Sequence, residues 1–224
     1  MLAPMNKWSR LVFAALAAGW LAPVARSGDA VRLTSLQRVQ GWKLLFDGAS
    51  LDTWRGYRAK KVPPEWQVKD GMLRCRGGIG LVTEDDFKDF ELEFEWMVGE
   101  GGTGAVYFHV SEDGATPEET GPVMELANRD GQIGGNGGLM ARQLVRGVRA
   151  GDWYRAKLVV FGNHVEHWAN GESILDYMLD DSEWKRAKST SRFREFRDYG
   201  TLREGRIVLE GAGIVFRYIK VKPL

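Results

Sequence analysis

Residues 153–177, WYRAKLVVFGNHVEHWANGESILDY, decide the fold class. Trp153 to Phe161 is built from residues that suit a pleated, half-buried surface, and Gly162-Asn163 turns the chain so that Val165 to Ala169 runs back beside it. Asn170-Gly171 supplies two residues that tolerate positive φ, as a tight primed hairpin turn requires, and Glu172 to Tyr177 forms a third strand. The stretch therefore predicts a three-stranded antiparallel meander. It also sets His167 next to Trp168, and because strand side chains alternate, the two face opposite sides of the sheet. The bulkier, more apolar indole is expected in the core, which would leave His167 on the open face.

The same grammar continues outward in both directions. Asp70-Gly71, flanked by Glu65 to Lys69 and Met72 to Cys75, is the strongest short hairpin signal in the chain. Phe90 to Val98 alternates, with Phe90, Leu92, Phe94 and Trp96 on one face and Glu91, Glu93 and Glu95 on the other. Gly99 to Gly102 reads as a turn into Ala105 to Val110, and Gly211 to Gly213 separates two closing strands, Gly205 to Leu209 and Ile214 to Val221. Only Glu84 to Lys88 and Asp181 to Lys188 look helical. Short strands with turn signals about every ten residues predict an all-β sandwich or barrel, and 224 residues with 44% hydrophobic content suffice for one sizeable core.

Composition narrows the function classes. A net charge of +1, with acidic and basic residues interspersed, gives no electrostatic footprint for nucleic acid or anionic lipid. The single cysteine, Cys75, allows neither an internal disulfide nor a cysteine zinc site and reads as a small buried hydrophobe. At the N-terminus, Lys7 and Arg10 precede an apolar run from Leu11 to about Ala22, followed by Ala25-Arg26-Ser27. That run is shorter than the roughly 20 residues of a membrane span, so residues 1–27 are expected to be an export signal, with a periplasmic or extracellular product. Residues 28–40 are expected to form a linker and 41–224 a single domain.

The order of the pieces resembles a known bacterial family. Leu45-Phe46-Asp47-Gly48-x-x-Leu51-x-x-Trp54, Trp66-x-Val68-x-Asp70-Gly71-x-Leu73, Leu81-Val82-Thr83, Phe87-x-Asp89-Phe90-Glu91-Leu92 and Gly104 to Val110 are similar to successive blocks of the 3-keto-disaccharide hydrolase domain. So are Glu119-Thr120-Gly121-Pro122, the turn His167 to Gly171 and the final Val215 to Val221. The resemblance implies a concanavalin A-like sandwich (jelly roll) of two curved antiparallel sheets, whose concave face takes carbohydrate. Two blocks depart from the pattern. Where the family carries Gln-Asp-His-Gly, this chain reads Leu209-Glu210-Gly211-Ala212, without histidine, and the middle block reads Val123-Met124-Glu125-Leu126-Ala127-Asn128-Arg129.

The activity that the resemblance implies makes specific chemical demands. A ketone at C3 of a sugar acidifies the C2 hydrogen, so a base can form an enolate that expels the C1 oxygen, after which water adds. This needs a base poised near working pH, a hydrogen-bond donor or divalent cation at the enolate oxygen, and an acid for the leaving group. His109, Glu125 and His167 are the candidate catalytic residues. Histidine titrates in the right range, and Glu125 alternates with the apolar Met124 and Leu126. His109, in an otherwise apolar strand, reads either as a site residue or as a hydrogen-bonded rim residue. Candidate substrate contacts are Glu95, Asn128, Arg142 and Glu210, the last standing near the altered histidine block. Glu91 and Glu95, four residues apart at about 3.3 Å each, are too distant to work as a pair, and a solvated charged face is the simpler reading of that strand. A carbohydrate ligand is the expected partner. The alternative is a sugar-binding module without turnover, motivated by the missing histidine.

Overall fold

The computed structural model describes residues 31–126, 133–140 and 149–224. It is a concanavalin A-like sandwich of antiparallel strands, built around one long ribbon. The strands in chain order are β1 (Lys43–Phe46), β2 (Trp54–Gly56), β3 (Trp66–Lys69), β4 (Met72–Cys75), β5 (Leu81–Thr83), β6 (Phe90–Val110), β7 (Val123–Glu125), β8 (Tyr154–Phe161), β9 (His164–Ala169), β10 (Glu172–Met178) and β11 (Arg206–Pro223). β6 and β11 pair antiparallel along their whole length, from Phe90 opposite Pro223 to Val110 opposite Arg206.

This ribbon serves both layers. In one half, β8, β9 and β10 extend from β6 while β1, β4 and β3 add to β11; in the other, β7 joins β6 while β5 and β2 join β11. The glycines expected to end strands instead let them bend and continue. A Cβ on Gly104 would lie 2.2 Å from Ile214 Cδ1, and one on Gly211 would lie 2.4 Å from the Thr103 carbonyl oxygen. At this crossing, backbone and side chain approach too closely for any other residue, and the ladder shifts register between Ala212 and Ile214.

The hairpins follow their sequence signals. Asp70 and Gly71 have φ of 57° and 72°, Asn170 and Gly171 51° and 88°, the two positive values of a type I′ turn. Gly162, at φ 59°, alone takes the positive value between β8 and β9. Phe90, Leu92, Phe94, Trp96 and Val98 are buried inward, against Phe216 and Ile214 of β11. In the second half Leu81, Leu209, Val106 and Met124 share one face in register, all fully buried.

Helices are few. Ser35–Val39 (α1), capped by a reciprocal Thr34–Gln37 capping box, lies in the stretch expected to be a linker, and the Val31 N–H donates to Asp47 O at 2.6 Å. The expected helical turn at Glu84–Lys88 is absent; Phe87 and Gly205 form an isolated bridge instead, exchanging two backbone hydrogen bonds. Ser182–Thr190 (α2) forms where expected, its N-terminus capped by the Asp181 carboxylate accepting from Trp184 N–H. Buried Trp184 then anchors a column of rings: Tyr177–Trp184, Trp184–Tyr199 and Tyr199–Phe193 stack at centroid distances of 5.4, 5.7 and 4.0 Å. No described helix is long and apolar enough to cross a membrane.

Candidate functional site

His167 is fully buried, and Trp168 takes the outward position, the reverse of the expected phase. The carbonyl of Gly134 can only accept, so His167 Nδ1–H donates to it at 2.7 Å, which leaves Nε2 to accept from the Tyr177 hydroxyl at 3.3 Å. Both ring nitrogens are thus used inside the core. Burial pushes the imidazole pKa down to about 4, so the ring is neutral near pH 7. Outside, Trp168 donates to Glu166 at 2.7 Å and carries the Lys157 ammonium 4.1 Å above its ring.

His109 is also fully buried, at φ 51°, beside the register shift where β6 meets the start of β11. Its Nε2–H donates to Lys88 O at 2.7 Å, Phe90 and Phe108 present edges and faces to the ring, and burial lowers its pKa. The left-handed backbone turns this side chain off the simple alternation. The two histidines therefore occupy packed interior positions and do not meet Glu125 in a common hollow.

Glu95 belongs to the other half of the β6–β11 ribbon from Glu210. It lies outward on the first half of β6, between Arg155 at 3.0 Å and Arg217 at 2.7 Å, in a ladder continued by Glu93–Lys220 and Glu91–Lys222. These glutamates are held in cross-strand ion pairs, not left free for a ligand. Asn128 and Arg142 lie outside the described residues.

The remaining two candidates share a face. Glu210 of β11 and Glu125 of β7 both sit opposite Ala105 of β6, so the three form one row; Val208, Tyr107 and Val123 form the next row of that face, continued by Val82 of β5 and Arg55 of β2. At about 4.8 Å per strand, the Cα atoms of Glu125 and Glu210 are roughly 10 Å apart. Val82, Val208 and Val123 are buried, so much of this face is covered, not an open trough. Polar groups line it nonetheless. Tyr107 lies in the row next to Glu210, and desolvation, reinforced by the nearby Glu118 carboxylate, raises the Glu210 pKa. Glu118 in turn holds Arg192 at 2.7 Å, and Arg192 lies over Phe193.

Two buried polar atoms near this cluster lack hydrogen-bond partners among the described residues: the Tyr199 hydroxyl and Asn136 Nδ2. Burial pushes the Tyr199 hydroxyl pKa up, Phe193 stacks on Tyr199 at 4.0 Å, and Gly137, next to Asn136, packs against Phe193. Tyr107 was the residue missed from sequence. Its signal was its place in the same block as His109, on the alternation face of Ala105.

One group of three described side chains has metal-ligand chemistry. His164, Glu166 and Asp176 offer ligand atoms within 4.8 Å of one another on the outward side of β9 and β10, with His164 Nε2 2.8 Å from Asp176 Oδ1. It stands on a different sheet half from the Tyr107–Glu210 row.

The comparisons agree with this architecture. The family model described as 3-keto-alpha-glucoside-1,2-lyase-like domain matches residues 41–222. The chain belongs to that family. A 3-keto-disaccharide hydrolase of Bacteroides thetaiotaomicron is 27% identical over 89% of this chain and 85% of its own length. Among solved structures, a protein of Parabacteroides distasonis assigned as a glycosyl hydrolase superposes with a TM-score of 0.82 at 25% identity, covering 88% of this chain and all of that one. A non-specific endo-β-1,3(4)-glucanase, at 14% identity and a TM-score of 0.50, covers 88% of this chain and 95% of that one and shares the fold. Tyr107, Glu125 and Glu210 all lie within the residues that the 3-keto-alpha-glucoside-1,2-lyase-like family model matches.

Proposed function

We propose that the protein cleaves 3-keto-glycosides, and that the reaction takes place on the face bearing Tyr107, Glu210 and Glu125. The observation that carries this reading is the Glu210 carboxyl, which burial and Glu118 hold above its ordinary pKa in the row next to Tyr107, on a sheet face of a chain in the 3-keto-alpha-glucoside-1,2-lyase-like family. A carboxylate in this state is a stronger base than an exposed one and, once protonated, can return the proton. It takes the C2 proton, the C2–H electron pair forms the enolate with the C3 carbonyl, and collapse of the enolate breaks the C1–O bond as the leaving oxygen gains a proton. Water then adds at C1 and C2 is reprotonated, so the net change is hydrolysis.

Tyr107, in the row next to Glu210, is placed to share that proton, and Glu125 is the second carboxyl in the row of Glu210. His109 and His167 support this face from within. A divalent cation at the enolate oxygen would find its described carboxylate donors in Glu125 and Glu210.

The test is turnover of a 3-keto-disaccharide by the purified protein, with and without chelator. Glu210→Gln is expected to lower kcat by at least about 100-fold, the range of a lost acid–base group, with the fold retained. Wild-type rates in both Glu210→Gln and Tyr107→Phe would overturn the site. The run Leu209 to Ala212, lacking histidine, favours a second reading as a sugar-binding module; saturable glycan binding without any release of sugar would establish it. Export is part of the proposal, resting on residues 1–27, and cell fractionation that finds the chain in the cytoplasm would remove it.

A further inference from the structure

The row that carries Tyr107 ends, three strands away, in a basic depression. Tyr107 pairs with Val208, Val208 with Val82 and Val82 with Arg55, so Arg55 lies on the same face, about 14 Å from Tyr107 at 4.8 Å per strand. There Arg55, Arg58, Ala59, Lys60 and Glu112 line a shallow depression of about 330 Å³.

Its charges are not balanced internally. The Glu112 carboxylate is bidentate to the Arg55 guanidinium, accepts the Arg58 backbone N–H at 2.6 Å and has Arg206 Nε 3.5 Å away; these contacts lower its pKa. Glu84 adds a second acid to Arg55 at 3.2 Å. The Arg58 and Lys60 side chains, both on exposed residues, have no acidic partner among the described residues; Arg58 Nη1 meets only the Gly114 carbonyl, at 3.3 Å. Arg58 is also held at φ 54°, a conformation costly for a residue with a Cβ, and its N–H bond to Glu112 fixes it there. A strained turn thus brings a guanidinium and an ammonium to the lining of one depression, with the neighbouring carboxylate already occupied.

We infer that this depression binds an anionic substituent of the glycoside, a carboxylate or a sulfate ester, on a residue separated from the reacting bond. A guanidinium offers such planar or tetrahedral oxyanions two parallel donors, and the ammonium adds a point charge. Buried Val208 and Val82 lie along the row between this depression and Glu210, so the anion belongs to a part of the ligand that passes over the covered stretch and not to the reacting ring. This inference rests on reading the chain as glycoside-active, yet it is tested by binding alone.

The test titrates wild type and the double variant Arg58→Ala/Lys60→Ala with glucuronic acid, glucose 6-sulfate and glucose, by isothermal titration calorimetry at low and high salt. Saturable binding of either anionic sugar over glucose, weakened by salt and about tenfold by the double substitution, is expected, and the preferred probe identifies which anion is read. Equal binding of all three sugars, no saturable binding of either anion, or unchanged affinity in the double variant would overturn the inference. Failure to turn over a 3-keto-disaccharide would instead overturn the proposed reaction and leave this binding result standing.

Discussion

Replacing His167 by leucine separates a structural role from a catalytic one. The leucine fills comparable space but leaves two buried groups, the Gly134 carbonyl and the Tyr177 hydroxyl, without their partner. Each such group costs about 1–3 kcal/mol, so the variant should be less stable than wild type by about 3 kcal/mol at pH 7. The gap should close in acid. The wild-type imidazole has a folded pKa of about 4 against roughly 6.5 in the unfolded chain, so its folded pKa is depressed. Its contribution is fully present above pH 6.5 and is lost as the pH falls towards 4, because the unfolded state binds the proton first. A shift of 2.5 at 1.36 kcal/mol per unit bounds the loss at about 3.4 kcal/mol, roughly 3 of it spent by pH 4. His109 titrates in both proteins and cancels in the difference. Urea unfolding of the two proteins from pH 7 to pH 4 should therefore show curves that converge. A gap that stays constant across this range would refute the buried, neutral imidazole.

Three further outcomes follow from the packing. Gly104→Val should prevent stable folding, since even a Cβ there meets Ile214 Cδ1 at 2.2 Å, and thermal denaturation of whatever folds would show it. Trp168→Ala should cost no more than about 1 kcal/mol, whereas Trp96→Ala, fully buried, should cost about 3–5 kcal/mol; equal losses in chemical denaturation would contradict the observed faces. Glu95→Gln should lower stability measurably, by leaving Arg155 and Arg217 facing each other without their shared carboxylate, while kcat and KM on a 3-keto-disaccharide stay at wild-type values.

Local grammar carried much of this fold. Asp70-Gly71 and Asn170-Gly171 are turns for a reason visible in the residues alone, and the alternation from Phe90 to Val98 names the inner face without a structure. Glycine is where local reading fails. Gly99 to Gly102 satisfies a turn and a sharply bent strand equally well, and only the close approach of β11 selects the second. The phase of β9 fails for another reason. Alternation separates His167 from Trp168 but does not say which is inside, and the partners that make a buried histidine stable, Gly134 and Tyr177, come from segments distant in sequence or on the next strand. His109 was misplaced because a single left-handed residue breaks the period of two. Glu125 is legible as a polar position between apolar neighbours, and Glu210 by its place in the block where a histidine is expected. Tyr107, in the row next to Glu210, is not singled out by its residue type, because the histidine two residues on carries the stronger chemical signal.

The central claim is that Glu210, and not either histidine, moves the proton. Its most direct test is the rate of C2 hydrogen exchange into solvent deuterium, followed by NMR on a 3-keto-disaccharide, for wild type, Glu210→Gln and His109→Gln. Exchange abolished by Glu210→Gln and preserved in folded His109→Gln is the predicted result; exchange that survives Glu210→Gln at the wild-type rate would contradict it.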